Sequence, residues 1–104
     1  MSLIFVYITN PSKEVARKIA KHLLKKKLVA CVNIFPINSL YWWKDKITED
    51  KEFVLIAKTT DGNFERVKRE VEEMHPYEVP CIVRIQADSN KKYYDWLKSV
   101  LKES

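Results

Sequence analysis

Glycine is nearly missing from this sequence. Gly62 is the only one among 104 residues, and that scarcity closes off several chemistries at once. A GxGxxG dinucleotide turn, a Walker A phosphate loop and a GxSxG nucleophile elbow each need more than one glycine, so none can be written here. Long apolar runs are missing too. The longest, Leu3–Ile8, is far too short to span a bilayer, and the N-terminus lacks the basic, apolar and small-residue zones of a secretory leader. Cysteine is scarce, with Cys31 and Cys81 alone and no CxxC spacing. In a reducing compartment such residues are most often buried apolar groups. No serine or cysteine stands beside an obvious base and orienting group, and no Cys/His spacing makes a closed zinc site. The expectation is a cytoplasmic protein that touches no membrane and is not an enzyme.

What is present reads as a folded chain. Hydrophobic residues make up 46% and charged residues 32%, a balance of globular and not disordered sequence. The length fits one domain over 1–104, able to bury roughly two-thirds of its unfolded surface. The net charge of +5 is unevenly placed: residues 13, 17, 18, 21, 25, 26 and 27 are Lys or Arg against Glu14 alone. That one segment holds the basic excess, as a solvated helix face would.

Leu3–Ile8 is apolar at consecutive positions and rich in β-branched and aromatic residues, the pattern of a strand covered on both faces. Asn10-Pro11-Ser12 offers an N-cap with proline near the first turn. Val15, Ala16, Ile19, Ala20, Leu23 and Leu24 then recur at helical spacing to about Lys27, where Lys25-Lys26-Lys27 suit the helix dipole. His22 borders the apolar face. A second strand runs Leu28–Phe35; Pro36 interrupts it and marks an edge position or a bulge. The chain resumes at Leu40–Trp43, turns at Lys44-Asp45-Lys46, and continues as a strand from Ile47 to Thr59. Asp61 is placed to cap a helix striped by Phe64, Val67, Val71 and Met74, and Pro76 ends it near His75. Cys81–Ile85 is a fourth strand. Asp88-Ser89-Asn90 is expected to cap a last helix with Tyr93, Trp96, Leu97, Val100 and Leu101 on one side.

The order β-α-β-β-α-β with an added C-terminal helix is the ferredoxin-like, split-βαβ pattern: an α+β sandwich on an antiparallel four-stranded sheet with strands one and three central. Cys31 and Cys81 then fall on opposite edges, too far apart to bridge. Two main helices cover only one face of such a sheet. Yet Leu3–Ile8, Val29–Val32 and Phe53–Ala57 do not alternate, so the other face must be dry as well, and the short last helix is too small to dry it. A second chain is the expected cover. The hairpin ending in Tyr41-Trp42-Trp43 is the longest arm available to reach it. Alternation puts Tyr41 and Trp43 on one side and Trp42 on the other, and at least one of Trp42 and Trp43 is predicted to pack across a subunit boundary.

Several stretches together resemble the CutA family of divalent-cation tolerance proteins: Leu28-Val-Ala-Cys31-Val-Asn-Ile34, Ser39-Leu-Tyr-Trp-Trp43 with Lys46-Ile47, Lys58-Thr59-Thr60, and His75-Pro76-Tyr77-x-x-Pro80. Tyr93–Leu97 resembles the family's closing Tyr-x-x-Trp-Leu region. The resemblance spans nearly the whole chain. It implies a ferredoxin-like homotrimer in the cytoplasm, similar in architecture to PII-type signalling proteins, with a link to divalent metals and copper above all. The signalling partner stays unknown. Copper-binding members can carry Cys near the end of the first strand and His-His before Pro-Tyr; here those positions are Ile8 and Met74-His75. Asp45 also replaces the family's glycine at the hairpin tip, where Asp can adopt a positive φ at some cost.

His75-Pro76-Tyr77-Glu78 is the best candidate metal contact, since imidazole is the commonest transition-metal ligand and Cu²⁺ leads the divalent affinity order. A weakly bound Cu²⁺ or other divalent cation at His75 is set against a plainer reading, in which His75 ends the helix and Tyr77 packs. Met74 offers a thioether, but at helical spacing from Val71 it reads as core. Cys31 reads as a buried strand residue. A trimer that takes a small ligand without metal is one alternative. An RNA-recognition module is the other, since such domains share this strand order and stack bases on sheet aromatics. Against RNA, Lys51–Lys58 lacks the glycine and aromatic spacing of that motif, and the positive charge lies on the first helix, across the molecule from the open sheet face.

Overall fold

The structure, a computed structural model, describes residues 2–101; the ends of the predicted domain, Met1 and 102–104, lie outside the described residues. The elements run β1 (Leu3–Asn10), α1 (Lys13–Lys25), β2 (Cys31–Trp43), β3 (Lys46–Thr60), a 3₁₀ turn (Asp61–Asn63), α2 (Phe64–Met74), β4 (Ile82–Gln86) and α3 (Lys91–Val100). The sheet order is β2-β3-β1-β4, antiparallel throughout. Strands one and three are central, as the element order predicted.

One face of the sheet is sealed. Ile4, Val6 and Ile8 of β1 pair with Thr59, Ala57 and Leu55 of β3, and all six are buried. Ile19 and Leu23 of α1 and Val67 and Val71 of α2 close over them in one cluster. Each Leu or Ile removed from water in this way contributes about 1.5–3 kcal/mol. Helical spacing therefore becomes a real stripe, and both main helices pack on this side.

α1 starts where expected: the Ser12 hydroxyl accepts the Val15 N–H at 3.1 Å. Its end differs from expectation. Lys26 is the C-cap and Lys27 turns left-handed at φ 57°. The Lys27 N–H then reaches Leu24 O at 3.0 Å, and the Leu28 N–H reaches Leu23 O at 3.1 Å. This is a Schellman cap, with buried Leu28 packed in the same cluster as Leu23. Leu28 is thus part of the helix exit, and β2 begins three residues later, at Cys31. The Thr59 hydroxyl (2.7 Å) and the Asn63 amide (3.2 Å) both donate to the Leu28 carbonyl and fix this exit against β3 and α2.

Three further expectations are corrected. Pro36 does not interrupt β2, which pairs without a break from Cys31 to Trp43, with Pro36 opposite Phe53. On an edge strand only alternate N–H groups serve the ladder, so proline is tolerated. Asp61 caps nothing with its side chain; its carboxylate instead takes the Arg84 guanidinium at 3.1 Å. The last strand is shifted by one residue, to Ile82–Gln86, and Cys81 precedes it. Cys31 and Cys81 are both free.

Candidate functional site

β1 pairs with β3 only over Phe53–Thr60, whereas β2 pairs with β3 from Lys58 out to Lys46. From Glu52 outward the hairpin is therefore a two-stranded ribbon. Such a ribbon is marginal alone in water. It ends in a two-residue turn with positive φ at Lys44 (49°) and Asp45 (63°), the type I′ geometry that matches strand twist. Asp45 does take up the left-handed turn that glycine would favour. The register puts Tyr41 and Trp43 on one side of the ribbon with Thr48 and Lys46, and Trp42 on the other opposite Ile47. Trp42 is 71% exposed, and Leu40 and Ile47 are each 66% exposed. Two faces of apolar side chains stand in solvent on one thin arm.

The Tyr41 side continues onto the open face of the sheet. Phe5 and Tyr7 are half-buried there, while Phe35, Val83 and Ile85 are exposed. α3 covers only one end of this face: Leu97 is fully buried, and Lys58 Nζ lies 5.7 Å from the Tyr93 ring and 5.6 Å from that of Phe5. Cys31 pairs with Lys58 in the sheet. Burial, and then the Cys31 thiol beside it, push the Tyr93 hydroxyl above its ordinary value.

Where the arm leaves the sheet, the loop after α2 folds against it and encloses a groove of about 480 Å³. Tyr41, Trp42 and Trp43 line it from the arm, and Tyr77, Glu78 and Val79 line it from the loop. Its floor holds Glu52, only 6% exposed. The Tyr77 hydroxyl donates to Glu52 Oε2 at 2.5 Å, and the Tyr41 hydroxyl donates to Asp50 Oδ2 at 2.5 Å. Burial first, and then the Glu52 hydrogen bond, raise the Tyr77 phenol far above its usual range. Tyr77 therefore stays protonated and remains a donor. Burial also pushes the Cys81 thiol up, so at neutral pH this groove residue is a thiol and a poor nucleophile.

His75 lies at the helix end, buried, where the plainer reading placed it. Its Nε2 meets the Thr9 carbonyl at 2.8 Å, and its Nδ1 accepts the Tyr77 N–H at 3.2 Å. These two bonds specify the Nε2–H tautomer and occupy the Nδ1 lone pair, so neither nitrogen is free for a metal in this arrangement. The Met74 side chain packs against the core. Among the described residues no group of three or more His, Cys, Asp or Glu could hold a metal ion. His22 is drawn to Glu70 at 2.8 Å, beside Lys26 at 2.6 Å. Sequence reasoning singled out Tyr41, Trp42, Trp43, His75, Tyr77 and Glu78, and all but His75 line the groove. It missed Glu52. Parity puts Glu52 on the same strand side as Val54 and Ile56, but Asp50 and Lys58 share that side, so no pattern in the sequence marked it.

Element order, strand order and arm define a ferredoxin-like α+β sandwich with an aromatic hairpin extension. The family model for the CutA1 divalent ion tolerance protein matches residues 4–100, and the chain belongs to that family. It is 51% identical over 94 residues to the divalent-cation tolerance protein CutA of Archaeoglobus fulgidus, covering 89% of this chain and 92% of that one. The solved structure described as the periplasmic divalent cation tolerance protein CutA from Archaeoglobus fulgidus superposes with a TM-score of 0.94 at 48% identity, covering 96% of this chain and 99% of that one. A rice relative named Protein CutA 1, chloroplastic, is 40% identical over 97% of this chain and 58% of its own length. No helix among the described residues is long and apolar enough to cross a membrane.

Proposed function

We propose that this chain is one subunit of a homotrimer of PII-like architecture that binds a divalent cation weakly, copper foremost, and serves metal tolerance or signalling in the cytoplasm. The open apolar face carries the assembly. Phe35, Val83 and Ile85 stay exposed on it, and it runs on into Tyr41 and Trp43. A contiguous apolar surface of this kind is the mark of an interaction site. A threefold arrangement would let each arm, through Trp42 or Trp43, reach a neighbour. Membership of a divalent ion tolerance family supports the cation. The residues present do not fit a tight centre within one chain, which agrees with weak binding: a cation at His75 would have to displace the Tyr77 N–H from Nδ1. A site shared between subunits is the other arrangement consistent with these donors.

Native mass spectrometry of the full chain with and without Cu²⁺ tests both halves. Three chains of 12.4 kDa with retained copper, reduced in His75→Ala, is the expected result. A monomer removes the assembly, and a trimer that retains no copper removes the cation.

A further inference from the structure

We infer that the outward face of α1 is a docking surface for a partner protein, and that the partner presents an acidic amphipathic helix. Lys13, Arg17, Lys21 and Lys25 repeat every four residues along this face, with Lys18 beside them, and all five are exposed. The repeat sets a cation about every 6 Å along one ridge of the helix. Glu14 is the one acid of this helix. Among the described residues none of the five cations forms an ion pair. Lys26, at the helix end and off this row, is the lysine that does, with Glu70. The other helices are built differently. α2 pairs Glu65 with Lys68 and α3 pairs Lys91 with Asp95, each about one turn apart. Like charges at this spacing weaken a helix, and solubility is served as well by mixed signs. α1 thus carries an unneutralised row where its neighbours carry pairs.

Charge sets the sign of the partner; spacing and Leu24 set its kind. Lys13, Arg17, Lys18 and Lys21, with Glu14, line an open hollow of about 580 Å³, room for carboxylate side chains among several cations. A helix with Asp or Glu at every fourth position has the same axial repeat, so it can lie along α1 with its carboxylates opposite the row. Leu24 is 39% exposed and follows Lys21 by one turn. A phosphate backbone has nothing apolar to cover it, whereas an amphipathic helix does. The row holds no aromatic ring on which a base could stack, and one leucine buries too little area to hold a bilayer. The face points away from the sheet, across the molecule from the open apolar surface, so an assembly built on that surface leaves it free. The inference rests neither on copper nor on the number of subunits.

The test is fluorescence anisotropy of the full chain with a labelled peptide of about 18 residues, long enough to form a helix alone. The peptide carries glutamate at every fourth position and one leucine on the same face, with alanine and glutamine elsewhere. The same peptide with glutamine for every glutamate, a duplex DNA of random sequence, and vesicles of phosphatidylcholine with phosphatidylserine are titrated beside it. The acidic peptide should bind about tenfold or more tightly than its glutamine counterpart, and should weaken as salt rises. Lys21→Glu combined with Lys25→Glu should lower its affinity by about tenfold or more, and Leu24→Gln by about threefold. Lys92→Glu combined with Lys98→Glu makes the same change of net charge at exposed positions of α3 and should leave binding nearly unchanged. Circular dichroism and light scattering on each variant check that fold and mass are those of the parent. Equal losses in the two double variants would leave net charge alone at work and overturn the proposal. Unchanged affinity in Leu24→Gln overturns the amphipathic helix. Tighter binding of the DNA or the vesicles, with the same dependence on Lys21 and Lys25, assigns the row to phosphates and overturns it as well. So does a failure of the peptide to bind at low salt. Copper retention in the parent protein is unaffected by any of these outcomes, so the two proposals fail separately.

Discussion

The two faces of the sheet are built from alternate residues of the same strands, yet they end in different surroundings. On β1, Ile4, Val6 and Ile8 are fully buried under α1 and α2, while Phe5 and Tyr7 on the other side are half-covered. On β3, Leu55 and Ala57 are sealed, and their neighbours Ile56 and Lys58 are not. Apolar content is similar on both faces; what differs is how far the chain covers each, since on the open side Val54 is buried while Phe35, Val83 and Ile85 stay exposed. If the proposed assembly holds, the second cover that the doubly apolar strands call for comes from a neighbouring chain.

The sharpest way to break this contrast is to truncate one large side chain on each side. Leu55→Ala empties a site enclosed by the chain's own helices and should cost about 2–5 kcal/mol in denaturant unfolding. It should leave the mass of the assembly unchanged. Trp42→Ala combined with Trp43→Ala should do the reverse. Trp42 touches little of its own chain, so the subunit fold should persist, while the assembly loses roughly 2–4 kcal/mol per interface contact and dissociates on dilution. Light scattering over a dilution series, with unfolding curves on the same samples, separates the two. If the double variant keeps its mass and its unfolding curve, the aromatic pair is not an assembly device.

That contrast also marks how far the sequence could be read. The sheet order and the helix stripes were legible because periodicity at Ile19, Leu23, Val67 and Val71 records burial directly. The aromatic arm was legible because Trp42 and Trp43 follow strand parity. Leu28 was misplaced because it is apolar for a helix cap's reason and not a strand's, and periodicity cannot tell these apart. Pro36 marks an edge position or a bulge in the sequence; the edge is where it lies, and only the expected break is wrong, because a missing N–H on the outer side of an edge strand costs no ladder bond. Glu52 and Asp50 were invisible as partners, since a charged residue in a hairpin reads as solvated until the loop carrying Tyr77 is placed beside it. The same holds for His75: its bond to Thr9 joins residues 66 apart in sequence.

Acid should weaken a clasp on the covered side, with a smaller effect. Glu70 clasps α2 to α1 through Lys26 and His22. The Lys26 hydrogen bond first, and then that of His22, lower its carboxyl from an ordinary 4.5 to about 2. The folded state thus holds the charged form, and the unfolded chain binds more protons between these values. The clasp's contribution is complete above about 4.5 and is lost as pH falls towards about 2. The stability difference between the parent and Glu70→Gln should be constant above the upper limit and shrink steadily below it. A difference that does not change with pH across that window would mean that the clasp's charge contributes nothing.

The smallest expected effect returns to the missing glycines. Among the described residues three adopt left-handed backbone, Lys27, Lys44 and Asp45, and no glycine does. An L-residue with a Cβ carries a cost there, of about 1 kcal/mol, partly offset because glycine gives up more freedom on folding. The positions are not equivalent. Lys44 and Asp45 lie at the tip of the arm, where a neighbour's contacts would enter any measurement. Lys27 lies at the end of α1, on the side the chain covers itself. Its Schellman bonds and the Leu23–Leu28 contact already hold the backbone in place, so removing its side chain alters strain and little else. Lys27→Gly should therefore raise unfolding stability by about 0.5–1 kcal/mol without changing assembly mass, and removing one charge from a crowded basic segment acts in the same direction. A loss of stability in this variant would mean that the Lys27 stem shields the helix end, and that glycine's absence at this cap is a packing choice instead of a tolerated strain.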